Sequence, residues 1–300
     1  MSLSHKVKTA LDENRLLILG AQVLFGFQFQ GVFQETFADL PSYTRIINSL
    51  ALALMALTIG LLIAPSMQHR IVEEGADTVR IHAVAGVFAG VALLPFGISL
   101  SLDVFIVFEH LFGFAAAAWA AGCFCALVAL LWYILGFVLR AIVKVPVMSD
   151  KEEPTLLATR IEQMLTEARV IVPGVQALLG FQLAVTFARA FGDLGAALQL
   201  THVVALCFVA LAAILLMTPA ALHRIAFRGQ DTEAFLTLGS GFVLAAPIAL
   251  AFGLAADMLV ALAMAATGLA TIIAGTSFAV LMGLWYGLPL LLRMRQFKTE

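Results

Sequence analysis

The sequence predicts an all-α polytopic membrane protein, with eight transmembrane helices in two parallel four-helix repeats. Composition is the first observation behind this prediction. Of the 300 residues, 62% are hydrophobic and only 12% are charged, and the mean hydropathy is +1.02. A soluble domain carries about 25% charged residues, so we expect the lipid bilayer to be the main partner of this chain. The net charge of −2 gives no indication of nucleic acid binding.

An internal duplication is the second observation. The stretch ENRLLILGAQVLFGFQFQGVFQETFADL at 13–40 returns at 167–194 as EARVIVPGVQALLGFQLAVTFARAFGDL, with 12 of 28 positions identical and no gap. The same offset of 154 relates PSMQHRI at 65–71 to PAALHRI at 219–225. A fixed internal period of this kind marks a duplicated structural unit.

Eight apolar segments are the candidate spans, and most approach or exceed the ~20 residues that cross a hydrocarbon core. They lie at about 16–34, 45–67, 81–101, 111–139, 170–188, 199–220, 235–255 and 259–292. Backbone groups in lipid must be satisfied internally, which predicts a helix for each segment. Before the first and fifth segments, apolar residues recur with helical spacing, from Leu3 to Leu11 and from Leu157 to Leu165. We expect each repeat to open with a short amphipathic helix on the membrane surface, or with an exposed helix that does not touch lipid.

The distribution of Lys and Arg predicts the orientation. Fifteen of the seventeen fall on the side that holds the N terminus, and only Arg45 and Arg189 fall on the other. The positive-inside rule then places both termini and the central linker in the cytoplasm. We divide the chain into a first repeat at 1–144, a linker at 145–154 and a second repeat at 155–300. Four spans in each half give both halves the same orientation, as parallel repeats about an axis along the membrane normal.

A sequence motif adds a resemblance to this topology. The pattern E-x-R-x-x-x-x-G-x-Q-x-L-x-G-F-Q, followed by P-x-x-x-H-R, occurs in both halves. It resembles a family of uncharacterised bacterial integral membrane proteins that are mostly single four-helix units, here duplicated in tandem. The resemblance implies a multi-pass protein of the bacterial cytoplasmic (inner) membrane, and it implies no mechanism.

Duplicated glutamines are the first candidate functional residues. Gln22 and Gln28 in the first span recur as Gln176 and Gln182 in the fifth. Polar side chains at membrane depth face protein or a water-filled cavity. They either form hydrogen bonds between packed helices or line the path of a solute or ion, and the duplication favours neither reading.

Charged residues at the predicted cytoplasmic helix ends form the second candidate group. We expect a clasp between neighbouring helices of each half, in which Arg70 pairs with Glu13 and Arg224 pairs with Glu167. A gate, a lipid head-group site and a cofactor site are the alternatives. The whole group comprises Glu13, Arg15, His69, Arg70, Glu167, Arg169, His223 and Arg224.

Several kinds of chemistry are not expected. His69 and His223 invite a haem hypothesis, but their place beside arginines at the membrane edge favours a clasp without a cofactor. The sequence has neither a metal-binding histidine cluster nor a nucleotide-binding or hydrolase motif, so we expect no metal and no enzyme. Asp103 and Asp257 are expected in extracytoplasmic turns, which leaves no carboxylate near the centre of a span and disfavours coupling to a buried acid.

The leading functional hypothesis is therefore a channel or transporter that passes a small solute or ion along the interface between the repeats. The first alternative is a non-transporting membrane subunit with a structural, lipid-sensing or partner-binding role. The second is a membrane haem or redox protein. Homo-oligomerisation remains open at this stage.

Overall fold

The structure is a computed structural model, and it describes residues 3–134, 138, 156–225, 227, 230–265 and 268–296. Helices dominate these ranges. The first half contains α1 (Leu3–Gly31), α2 (Ser42–Ile71), α3 (Val79–Phe112) and α4 (Phe114–Val128), which continues as a π-helical segment, Ala129–Ile134. The second half contains α5 (Leu157–Thr186), α6 (Ala196–Ile225), α7 (Glu233–Met264) and α8 (Ala270–Met282). A second π-helical segment, Gly283–Gly287, then leads into α9 (Leu288–Gln296).

Seven helical stretches in the described ranges are long and apolar enough to cross a membrane. The first predicted span, at about 16–34, corresponds to Leu17–Gly31, a shorter apolar part of α1. The chain is thus an integral, multi-pass membrane protein with several apolar helices.

The amphipathic stretches are not separate helices. Each continues without a break into the following apolar segment, as α1 and as α5. Val7 and Leu11, which we expected at the membrane surface, are buried against Ile81 and Ala85 of α3. Protein side chains rather than lipid therefore cover this apolar face.

The two halves are built in the same way internally. Thr78 caps α3 and Thr232 caps α7, each through a hydrogen bond from a backbone N–H three residues later. Tyr133 and Tyr286, both in π-helical segments, donate to the carbonyls of Gly90 and Leu244, which are themselves 154 residues apart. The sequence duplication thus reappears as duplicated contacts.

The halves meet mainly where α1 packs along α5 and where α2 packs against α7, α8 and the second π-helical segment. Contacts between α1 and α5 keep the same order along both helices: Arg15 lies near Glu167, and Gln22 lies against Gly174. These two helices therefore run parallel. Trp285 is fully buried and donates its indole N–H to the carbonyl of Gly60 at 2.9 Å, which fixes the second half on α2.

The expected positions of two acids were wrong. Asp103 and Asp257 lie inside α3 and α7 rather than in turns. Helix α3 continues to Phe112 and ends at Gly113, whose φ of +81° suits glycine. Each aspartate accepts a hydrogen bond from a glutamine, so its carboxylate can be buried within a continuous helix.

Candidate functional site

Buried polar side chains lie at three levels along the interface between α1 and α5. The first level surrounds Glu167, which is 1% exposed. Arg70 forms an ion pair with this carboxylate, and Arg15 and His69 approach it at 3.8 and 3.6 Å. Glu167 belongs to the second half and its three neighbours belong to the first, so this ionic cluster joins the two halves.

A further carboxylate extends the first level. Asp77, in the turn before α3, accepts a hydrogen bond of 2.9 Å from the amide of Gln163 and lies 3.8 Å from His69. A cavity of about 340 Å³ opens beside this cluster, and Ser240 in its wall accepts a hydrogen bond from Arg70. Water can therefore approach the ionic cluster from the end of the bundle where α1 begins.

The second level is Gln22 of α1. Its side chain is 0% exposed, and neither amide atom has a hydrogen-bond partner among the described residues. It packs directly on Gly174 of α5, where an added Cβ would lie 1.7 Å from the Gln22 Oε1. Buried amides without a partner are uncommon, and a bound water or ion is one explanation for such a group.

The third level lies near the other end of α5. Gln182 donates a 2.8 Å hydrogen bond to Asp257, and both side chains are 0% exposed. His202 is also fully buried: its Nδ1 lies 3.8 Å from Asp257, and its Nε2 lies 3.0 Å from the carbonyl of Gln182. The imidazole stacks on Phe29 of α1, which places this group at the interface between the halves.

An equivalent pair exists inside the first half. Gln28 donates to the carboxylate of Asp103 at 2.8 Å and approaches the hydroxyl of Ser99 at 2.8 Å. The offset of 154 relates Gln28 to Gln182 and Asp103 to Asp257, so each half contains one glutamine–aspartate pair. Only the pair in the second half has a histidine beside it, because the counterpart of His202 is Asn48.

The three levels share one face of α5. Gln163, Glu167, Gly174 and Gln182 fall within a sector of about 100° at 3.6 residues per turn. At 1.5 Å per residue, the step from Glu167 to Gly174 is roughly 10 Å and the step from Gly174 to Gln182 is roughly 12 Å. Buried polar groups thus follow a single line along the interface.

The predicted site residues have unequal surroundings. Gln22, Gln28 and Gln182 are buried, whereas Gln176 is exposed and its amide only approaches the sulfur of Met217 at 3.9 Å. Likewise Arg15 is buried and its counterpart Arg169 is exposed. The repeats are therefore alike in sequence and different in environment.

The observed ion pair connects the two halves instead of neighbouring helices within one half. Glu167 was expected to pair with Arg224, but its partner is Arg70 of the opposite half. The side chains of Glu13 and Arg224 lie outside the described residues. The sequence predicts pairing within each half because the charged residues lie at the ends of neighbouring helices. Which face of α1 meets α5 cannot be read from the sequence.

His69 and His223 stand in separate environments. His69 lies between Glu167 and Asp77, whereas His223 lies 3.4 Å from Asp231 and packs on Phe235. Within the ranges that the structure describes, no group of three or more His, Cys, Asp or Glu side chains could hold a metal ion.

Five members of these clusters were not identified as site residues from the sequence: Asp77, Asp103, Gln163, His202 and Asp257. Asp257 carried a usable signal, because it keeps the same offset from Asp103 that Gln182 keeps from Gln28. Asp77 carried the same kind of signal with Asp231. Nothing comparable marked Gln163 or His202.

Comparison with known proteins assigns the chain to a family. Searches of curated proteins and of solved structures found no match. One protein family matches in two segments, residues 3–136 and residues 152–289, which is consistent with a tandem arrangement. These segments cover most of the chain and correspond to its two halves, so the protein belongs to the family of unknown function DUF6328.

Proposed function

We propose that the protein conducts protons across the membrane along the interface between α1 and α5. The observation that carries this proposal is the line of buried polar groups on one face of α5, from Glu167 through Gln22 to Asp257. Ionisable side chains inside membrane proteins are costly and commonly belong to proton relays built from Asp, Glu and His. Two buried ionic groups near opposite ends of one helix fit such a relay.

Tight packing favours a proton over a larger solute. At Gly174 the backbone of α5 contacts Gln22 so closely that no additional methyl group fits. A sugar or amino acid would have to separate the two halves at this level, whereas a proton needs only exchangeable groups and bound water. The unpartnered amide of Gln22 supplies both a donor and an acceptor for such a water.

The end groups suggest roles for particular residues. His202 and Asp257 would exchange a proton at one end of the line, since the imidazole can carry it on either ring nitrogen. Glu167, His69 and Asp77 would exchange it with water in the neighbouring cavity at the other end. Arg15 and Arg70 would hold the carboxylate of Glu167 in place.

The membrane arrangement belongs to the same proposal. Eight spans in two parallel repeats, with both termini in the cytoplasm, would place the Glu167 cluster on the cytoplasmic side and Asp257 towards the other side. The parallel course of α1 and α5 and the distribution of arginines support this arrangement.

A non-transporting structural role is the second candidate. The ion pair between Arg70 and Glu167 joins the halves, and Gln182 satisfies Asp257, as expected of buried groups that only fix packing. The two roles differ in one outcome: only the relay requires proton flux.

Proton flux into sealed vesicles tests the proposal. Purified protein is reconstituted with a pH-sensitive dye inside, and a potassium diffusion potential drives protons inward. We expect flux from the wild type that Asp257→Asn reduces at least tenfold, because an amide cannot release a proton. Asp193→Asn is the matched control, since Asp193 is exposed in the turn before α6. Wild-type flux no greater than that of empty vesicles would refute the proposal.

A further inference from the structure

Helices α1 and α5 are repeat counterparts, yet they contact each other through different faces. The face of α1 that meets α5 contains Arg15, Gln22 and Gly26. The face of α5 that meets α1 contains Glu167, Gly174 and Phe181. In a two-fold arrangement both helices would use the same positions. The contact is instead head-to-tail, and a head-to-tail contact leaves one unused face at each end.

The unused face of the second half is open. Its members are the counterparts of the α1 residues in the contact: Arg169, Gln176 and Gly180, and all three are exposed. An added Cβ at Gly180 would meet nothing within 4 Å, whereas one at Gly26 would lie 2.1 Å from the ring of Phe181.

The same difference extends to α6. Gly60 and Ile63 of α2 are buried, and Gly60 lies against Leu281 of α8. Their counterparts on α6, Ile214 and Met217, are 62% and 52% exposed. A groove of about 680 Å³ between α5 and α6 runs past Arg169, Met217 and His223. We call this surface of the second half the acceptor face.

A complementary surface is open on the first half. Glu13, Gly20 and Phe27 are the α1 counterparts of Glu167, Gly174 and Phe181. Gly20 is exposed with nothing within 4 Å of an added Cβ, and Phe27 is 57% exposed although its ring touches Phe181. The side chain of Glu13 is outside the described residues.

Helix α3 continues this surface. Leu236 and Ser240 of α7 line the 340 Å³ cavity beside His69 and Arg70. Their counterparts His82 and Gly86 line a groove of about 710 Å³ that ends at Trp132 and Tyr133. We call the surface formed by Gly20, Phe27 and Gly86 the donor face.

We propose that the acceptor face of one copy of this chain binds the donor face of a second copy. The contact would repeat the one already present inside the chain: Gln176 would meet Gly20 as Gln22 meets Gly174, and Gly180 would meet Phe27 as Gly26 meets Phe181. The sequence provides matching residues as well, because Arg169 and His223 are the counterparts of Arg15 and His69, and Glu13 is the counterpart of Glu167. Two copies related by a two-fold axis would form this contact twice and leave no face open.

Cysteine cross-linking between differently tagged copies tests the proposal. In a chain with Cys123, Cys125 and Cys207 replaced by alanine, Gly20→Cys is placed on one tagged copy and Gln176→Cys on the other. The positive control is Gln22→Cys with Gly174→Cys in one chain, where the Cβ of residue 174 would lie 3.0 Å from that of residue 22. A shift of about 0.5 Å between the helices brings this distance to the lower end of the disulfide range. Gly275→Cys, at an exposed and open position on α8, replaces Gly20→Cys in the negative control.

The expected result is a disulfide-linked product that carries both tags, at least tenfold more abundant than with Gly275→Cys. Three results would overturn the proposal if the positive control oxidises: no mixed product, an equal yield with Gly275→Cys, or a product formed only between two Gly20→Cys copies.

A second measurement is the mass of the protein in lipid nanodiscs. Gly20→Leu should reduce the mass to that of one chain, and Gly275→Leu should not. A wild type that already contains a single chain would also contradict the proposal. Neither measurement depends on proton conduction.

Discussion

At the scale of single residues, the repeated glutamines explain how two aspartates are tolerated inside apolar helices. Gln28 and Gln182 each donate to a carboxylate in the third helix of their own half. A buried carboxylate without a donor would bear the full cost of desolvation. Each buried aspartate therefore needs the hydrogen bond that the glutamine amide donates. Each half contains both members of the pair.

This pairing predicts the effect of Gln182→Leu. The substitution leaves Asp257 buried without a side-chain amide donor, which should reduce the free energy of unfolding by about 1–3 kcal/mol. Gln34→Leu is the control: Gln34 is exposed after the end of α1, and surface changes usually stay within about 0.5 kcal/mol. Chemical denaturation in detergent measures both. Equal stability of the two variants would contradict the pairing.

Sequence reasoning identified the glutamines and missed their partners. A polar residue in an apolar run is visible in one dimension, as Gln22 and Gln182 were. Asp257 lies between two apolar segments of the sequence, which predicts a turn at that position. Its true environment depends on how α5 and α7 pack, and the fully buried His202 depends on it in the same way.

At the scale of helices, close packing between α1 and α5 depends on glycine. Gly26 lets the ring of Phe181 approach to a distance that no Cβ would permit. Small residues have this role widely at helix contacts in membranes. The approximate positions of the apolar helices followed from hydropathy. The faces that they use did not, because apolar residues surround most of each helix.

Gly26→Ala should therefore lower the free energy of unfolding of the protein. The added Cβ would lie 2.1 Å from a ring carbon of Phe181, and overpacking of this kind costs about 1–3 kcal/mol. Gly275→Ala provides the control, because its Cβ meets open space and alanine is favoured over glycine within a helix by about 0.5–1 kcal/mol. Thermal unfolding in detergent should lower the Tm of the first variant and keep or raise that of the second. The reverse order would show that the contact is not close.

At the scale of the whole molecule, the duplication predicted two similar halves, and the family match in two segments is consistent with this prediction. The way the halves join was not predictable from the sequence. Arg15 and Arg169 are identical residues, yet only the first is buried, because each half uses a different face in the contact. A repeat in sequence specifies the unit, and packing between units determines which copy is buried.

Topology is testable by labelling intact cells with an impermeant thiol reagent. In the background without native cysteines, Gln34→Cys and Gly195→Cys should react from outside, because they lie in loops that the arginine distribution places there. Asp150→Cys, in the linker, should react only after permeabilisation. Labelling of Asp150→Cys in intact cells would place the linker outside and contradict the predicted topology.

The most direct test of proton conduction is Gln22→Leu, measured for flux and for stability in the same preparation. Gln22 has no hydrogen-bond partner among the described residues, so an apolar residue of similar size should change the free energy of unfolding by less than about 1 kcal/mol. Leucine cannot hold a water between the Glu167 cluster and Asp257, so we expect proton flux to fall at least tenfold. Unchanged flux in a stable Gln22→Leu protein would contradict the proposed path.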